Sequence, residues 1–206
     1  MSETKEHYIN VWYGDGSGKT TSALGKVMRA YGQGLNILVV QFLKGVGSCE
    51  YGELKTCEKL GIKVIQTGSN KIVLESNKTP ADILEAQEGW ELLLSAIQCE
   101  SYDLIVLDEL LPVLQLNLLN FDAVIEWLLQ MKKSCNLIVT GRIYDRDKLN
   151  KIKDISDLMS KIECVRHPFN TRCKSCKIEF NYRFQFCPHC GKKLTACVGP
   201  RKGIEF

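Results

Sequence analysis

His7-Tyr8-Ile9-Asn10-Val11-Trp12-Tyr13, running directly into Gly14-Asp15-Gly16-Ser17-Gly18-Lys19-Thr20-Thr21, is the stretch that decides the fold. The first seven residues are β-branched and aromatic and end in a glycine cluster, which reads as a strand. Residues 19–32 read as a helix closed by Gly32 and Gly34. A strand, a glycine-rich turn and a helix in immediate succession make a phosphate cradle. Glycines let successive backbone N–H groups converge on phosphate oxygens, and the helix N-terminus adds partial positive charge. Lys19 is placed to reach the phosphates, and the Thr20 hydroxyl to ligate Mg²⁺. The usual spacing G-x-x-x-x-G-K-[ST] wants glycine at position 13, where Tyr13 stands, so the loop is a modified one.

Beyond the loop the pattern keeps alternating. Asn36-Ile37-Leu38-Val39-Val40-Gln41-Phe42 is a continuous apolar strand of the kind buried on both faces of a parallel sheet. A weaker strand follows at Lys63–Gln66. Residues 81–99 carry Ile83, Leu84, Trp90, Leu93, Leu94 and Ile97 at helical spacing. Strands are expected at Leu104–Leu107, Leu137–Val139 and 161–165, with helices at 121–132 and around 146–151. Strand–helix alternation implies an α/β fold, a parallel sheet flanked by helices as in P-loop NTPases. Asp108-Glu109 closes the strand 104–107, the position at which such proteins hold Mg²⁺ directly or through water.

The 206 residues suit one such domain plus a small appendage. At 45% hydrophobic and 25% charged, the chain should bury a sizeable core. No run of about eighteen apolar residues offers a membrane span, and residues 1–10 lack an apolar signal core; a cytoplasmic protein is expected. The net charge of +3 conceals an asymmetry: residues 1–131 carry −7 and residues 132–206 carry +10. A basic final third suits a polyanionic ligand, but a solvated face is the simpler expectation, and nucleic acid is not expected as a partner.

Ten cysteines are present, and four have metal-site spacing: Cys173-x2-Cys176-x10-Cys187-x2-Cys190. Each C-x-x-C turn sets two thiolates on one side, and two turns complete a tetrahedron around a structural Zn²⁺. His189, between two ligands, reads as an outward spectator. Phe180, Tyr182, Phe184 and Phe186, at period two, read as the ribbon's apolar face. The composition changes after His167-Pro168, which sets expected boundaries of 1–170 for the main domain, 171–198 for an inserted zinc ribbon and 199–206 for a terminal piece returning to the main domain.

At this point the chain resembles the ATP:corrinoid adenosyltransferase family. The loop Gly14–Thr21 has the family's form, with a non-glycine residue before it. Ala23-Leu24-Gly25, Val39-Val40-Gln41-Phe42-Leu43-Lys44-Gly45, Gly52-Glu53-Leu54, Tyr102-Asp103-Leu104, Asp108-Glu109-Leu110, Thr140-Gly141-Arg142, His167-Pro168-Phe169 and Lys202-Gly203-Ile204-Glu205-Phe206 follow in family order. The resemblance implies adenosyl transfer from ATP to a Co(I) corrinoid, nominally cob(I)yrinic acid a,c-diamide, in cobalamin synthesis or salvage. It implies Lys19, Asp108, Glu109 and Arg142 as catalytic residues, Gly14–Thr21 as the ATP loop, and Thr20 with Asp108 for Mg²⁺. A flavoprotein-type reductant supplying Co(I) and a homodimer are implied as well. Two departures stand out. Where relatives place aromatic residues, this chain reads Gly68-Ser69-Asn70-Lys71-Ile72-Val73-Leu74, with Ile72 and Leu74 as apolar substitutes. Ser17 replaces a common basic residue.

Two other readings stay open on sequence. Zinc-ribbon thymidine kinases also join a phosphate loop to paired C-x-x-C knuckles, with Glu109 as the base such chemistry would need. A nucleotide-gated module that binds nucleic acid or senses a corrinoid through the ribbon is the non-enzymatic alternative.

Overall fold

A computed structural model describes residues 6–45, 52–69, 71–165, 171–177, 179–180, 189–190 and 192. The expected pieces Cys187, Tyr182, Phe184, Phe186, His167-Pro168-Phe169 and Lys202–Phe206 lie outside the described residues. The chain divides into two compact units, Met1–Glu163 and Cys164–Phe206. That division falls a few residues before the compositional change.

In the first unit, β1 (Ile9–Tyr13), α1 (Lys19–Gly32), β2 (Ile37–Gln41), α2 (Gly52–Lys59), β3 (Lys63–Gln66), α3 (Pro80–Cys99), β4 (Leu104–Asp108), α4 (Leu110–Gln115), α5 (Phe121–Met131), β5 (Asn136–Gly141), α6 (Arg146–Ile155) and β6 (Leu158–Lys161) follow in order. The strands form one six-stranded sheet in the order β3-β2-β4-β5-β1-β6. Every pairing is parallel. Among the described residues, no helix is long and apolar enough to cross a membrane.

The apolar runs are continuous because helices cover both faces of the sheet. Side chains alternate across a strand, so Leu38, Val40, Ile105, Leu107, Leu137 and Val139 enter one core with residues of α3, α4 and α5. Ile37, Val39, Leu104, Val106 and Ile138 enter the other with Ala23 and Val27 of α1 and Cys57 of α2. Burying one such side chain contributes about 1.5–3 kcal/mol relative to leaving it exposed. The central strands β2, β4 and β5 are therefore the rigid frame on which the loops at their C-terminal ends are mounted.

The last strand of the sheet is Leu158–Lys161, not 161–165. This edge strand pairs only with β1, and Leu158 and Lys161 are exposed, so no apolar run marks it. The apolar signal at Ile162 has a different cause. The chain beyond β6 crosses the phosphate loop: Ile162 N donates to Tyr13 O at 2.7 Å, and Gly16 N donates to Ile162 O at 2.9 Å. A Cβ on Gly14 would sit 2.4 Å from Ile162 O, and the residue has φ of +115°. Glycine at 14 thus answers both to backbone conformation and to this crossing segment.

In the second unit, β7 (Thr171–Arg172) and β8 (Glu179–Phe180) form an antiparallel pair. The intervening turn carries Cys173 and Cys176, and Lys177 N donates to Cys173 O at 2.9 Å.

Candidate active site and metal centre

The loop between β1 and α1 lies at the C-terminal edge of the sheet, beside the ends of β4 and β5. Helices α3, α5 and α6 begin with capping side chains: Thr79 with Asp82, Asn120, and Asp145. Helix α1 begins at Gly18 in the left-handed region with no capping side chain, so no side chain caps its first amides. That is the local arrangement an anion needs. Lys19 is buried, and its Nζ donates to Gly16 O at 2.8 Å, arching over the loop. Burial pulls its pKa below the ordinary lysine value, while Glu109, Asp15 and Asp108 work against that shift.

Asp108 is the hub of the edge. Its side chain is buried. Oδ1 accepts from Thr20 Oγ1 at 2.9 Å and from Thr140 Oγ1 at 2.6 Å. Oδ2 accepts from Lys44 Nζ at 2.8 Å and from Gln41 Nε2 at 3.2 Å. Four elements thus converge on one carboxylate: the loop through Thr20, β2 through Gln41 and its following loop through Lys44, and β5 through Thr140. Charge-assisted bonds of this kind are the strong ones. Burial on its own would lower the Lys44 pKa, but the Asp108 charge and hydrogen bond outweigh it and raise the value.

Glu109 follows in a left-handed conformation, φ 59°, held by a bond from its N to Thr140 Oγ1 at 3.1 Å. The Thr140 hydroxyl therefore fixes both acids, one by its side chain and one by its backbone. Its replacement by valine should lower turnover by about ten- to a hundredfold, because losing a buried bond to a charged group costs about 1.5–3 kcal/mol. Thr140→Ser should keep most activity, and equal activity in the two variants would show that the hydroxyl does not matter. Glu109 has a pKa raised by burial and by Asp108, an effect that Lys19, Lys44 and Arg142 oppose.

Lys19, Lys44, Glu109 and Arg142 share a cavity of about 670 Å³, within the usual range for a small-molecule site. Its other wall is largely apolar, with Leu43, Ile72, Val73, Leu74, Pro112 and Leu116. Ile72 and Leu74, the expected apolar substitutes, are 81% and 54% exposed and line this wall. Arg142 lies at the rim with its Nε 3.8 Å from Asp15 Oδ1, and Tyr144 Oη donates to the same oxygen at 2.6 Å. Ser17 and Thr21 are exposed on the loop and the first turn of α1. Lys44, Gln41, Thr140 and Tyr144 had no assigned role on sequence. Only the unbroken apolar runs leading into Gln41 and Thr140 hinted that polar groups at strand ends would be buried together.

In the second unit, the sulfurs of Cys173, Cys176 and Cys190 lie within 4.8 Å of one another. Cys173 and Cys190 Sγ are 3.6 Å apart. A tetrahedral zinc with Zn–S bonds of ~2.3 Å sets its sulfurs ~3.8 Å apart, so the donor set fits the ion. The Cys176 backbone N–H is the main cause holding the Cys173 thiol well below the ordinary cysteine range.

Residues 5–180 match the family described as ATP:corrinoid adenosyltransferase BtuR/CobO/CobP. The chain is 30% identical over 175 residues to the corrinoid adenosyltransferase of Escherichia coli K12, covering 85% of this chain and 86% of that one. It is 32% identical over 175 residues to the corrinoid adenosyltransferase CobA of Salmonella typhimurium LT2, with the same coverage. It is also 32% identical over 172 residues to the uncharacterised protein all2391 of a Nostoc species; that match takes in 79% of this chain but 45% of the relative's length. With a phosphate loop, a buried acid hub and a mixed polar–apolar cavity on one sheet edge, and with this match over most of its length, the chain belongs to the ATP:corrinoid adenosyltransferase family.

Proposed function

We propose that this chain is a cytoplasmic enzyme that transfers the 5′-deoxyadenosyl group of ATP to the Co(I) centre of a corrinoid. The observation that carries the reading is the shared cavity, in which Lys19 of the phosphate loop lies with an apolar wall of Leu43, Ile72, Val73, Leu74, Pro112 and Leu116. The Co(I) electron pair forms the Co–C5′ bond as the C5′–O bond breaks, triphosphate leaves with that bond's electrons, and cobalt becomes Co(III). Co(I) is itself a strong nucleophile, so no side chain is needed to activate one. The protein's work is to align C5′ with cobalt and to stabilise charge on the departing triphosphate.

Lys19 exchanges its bond to Gly16 O for phosphate oxygens, and the α1 amides hold the same group. Arg142, at the rim, supplies a second positive charge. The residues also fit Mg²⁺. Thr20 donates its proton to Asp108, which leaves its oxygen lone pairs for a cation. Glu109 lies in the same cavity with no hydrogen bond on its carboxylate among the described residues. When bound, Mg²⁺ neutralises triphosphate charge; Thr20 and Glu109 would hold it, with Asp108, which already accepts from Thr20, Thr140, Lys44 and Gln41, orienting the Thr20 hydroxyl from behind.

Incubation with ATP, Mg²⁺ and a chemically reduced corrinoid under anaerobic conditions should give a light-sensitive Co–C product and stoichiometric inorganic triphosphate. Release of ADP with a phosphorylated nucleoside acceptor would instead establish a kinase. We also infer that Cys173, Cys176 and Cys190, with Cys187, hold one structural zinc; the fit of the three described sulfurs supports this.

A further inference from the structure

Residues 71–79 form a strap along the apolar side of the cavity, and it is fastened by polar side chains whose role the reaction does not explain. Lys71 Nζ donates to Asp82 Oδ2 at 2.8 Å. Asp82, at the start of α3, is 1% exposed. The same Oδ2 accepts from Thr79 N at 2.7 Å and Thr79 Oγ1 at 2.6 Å, as in a capping box. At the other end Lys78 Nζ donates to Leu116 O at 2.8 Å, tying the strap to the end of α4. Between these ties Asn77 closes a tight turn: its Oδ1 accepts from Leu74 N at 2.7 Å and its Nδ2 donates to Ile72 O at 2.9 Å. Val73 is buried in the core, while its neighbours Ile72 and Leu74 are left exposed on the cavity side.

A helix cap alone needs only Thr79 and Asp82. Lys71 is extra. It brings a positive charge from the far end of the strap onto a carboxylate that is otherwise buried, and leaving that carboxylate unpaired would be costly. Burial would raise the Asp82 pKa, but the hydrogen bonds from Lys71 and Thr79 bring it below the ordinary carboxylate value. The ion pair therefore closes residues 71–82 into a loop whose ends are fixed before any ligand arrives. Two apolar side chains held in advance on a wall lose little freedom on binding, which is the gain of preorganisation.

We propose that Lys71 and Asp82 are positioning residues for the second substrate: their pairing sets Ile72 and Leu74 as a preformed apolar wall for the flat macrocycle, independently of the nucleotide. This rests on the adenosyltransferase reading above. The nucleotide is served by the loop and the Asp108 hub; the strap's hydrogen bonds described above involve no residue of either, although Lys71 itself lines the cavity. Loosening the strap should therefore weaken one substrate and spare the other.

The test compares wild type with Lys71→Met, Lys71→Arg and Asp82→Asn, using cobalamin and cobinamide, each reduced to Co(I) for turnover and as Co(II) for equilibrium binding. Lys71→Met keeps the Thr79–Asp82 cap and so should fold even where Asp82→Asn does not. In Lys71→Met, KM and Kd for the corrinoids should rise about tenfold, on the scale of one lost charge-assisted bond. KM for ATP should stay within about twofold, and Lys71→Arg should restore corrinoid affinity. Unchanged corrinoid KM and Kd in a folded Lys71→Met protein, or an equal rise in KM for ATP, would overturn the proposal while leaving the adenosyltransferase reading intact. Wild-type protein that binds ATP but neither corrinoid would remove that reading, and this proposal with it.

Discussion

Replacing Lys19 by alanine is expected to lower adenosyl transfer by at least about 100-fold, the scale of removing one preorganised electrostatic stabiliser. The argument rests on where this lysine sits. Its Nζ lies over the loop on Gly16 O, in the cavity it shares with Glu109 and Arg142. The charge that grows as the C5′–O bond breaks is on the triphosphate, so a cation there acts mostly in the transition state and the loss should fall chiefly on kcat. Lys19→Arg should recover little, because the longer planar guanidinium does not fit a pocket that confines a single buried ammonium. Some nucleotide affinity should survive in Lys19→Ala through the α1 amides, measurable by titration. Near-normal turnover in the folded alanine variant would mean that triphosphate departs elsewhere.

The parts of this site differ in how openly the sequence carries them. Strands β2 and β4 were legible because burial on both faces demands unbroken apolar runs, β1 because β-branched and aromatic residues run into a glycine cluster, and the loop because phosphate binding demands glycines and a lysine in one contiguous stretch. Asp108 was legible by position, at the end of such a run. Its partners were not. Gln41, Lys44 and Thr140 meet at the carboxylate only because β2 and β5 flank β4 in the sheet, a neighbour relation that strand order decides and sequence distance conceals. Helix α4 (Leu110–Gln115) was missed because it is short and begins with Glu109 in a left-handed turn. Helix α2 was missed because only Cys57 of its eight residues is buried. The edge strand β6 was shifted three residues late because Ile162, which gave the apolar signal, packs over the loop instead. The strap 71–79 carries no pattern that marks an element, since its order comes from side-chain ties, which have no periodicity.

Removing metal is expected to have the largest structural effect, and to confine it to the second unit. Protein purified without chelators should carry one zinc per chain by elemental analysis. Cys176→Ser should lose it, since two of the described sulfurs with Cys187 hold the ion less well than four thiolates. A two-stranded ribbon of this size buries too little apolar surface to fold unaided, and a structural zinc typically contributes about 10–16 kcal/mol of binding energy that is also folding energy. Stripping zinc with a strong chelator should therefore make residues 164–206 sensitive to protease, and readdition should restore protection. Every described residue lining the cavity lies in residues 1–163. ATP affinity of the stripped protein should accordingly remain within a fewfold of the original. If zinc removal instead abolished ATP binding while the sheet stayed folded, the ribbon would be part of the nucleotide site, and the sharing of tasks between the two units would have to be redrawn. Retention of full protease resistance after verified loss of zinc would show that something other than metal orders the three cysteines.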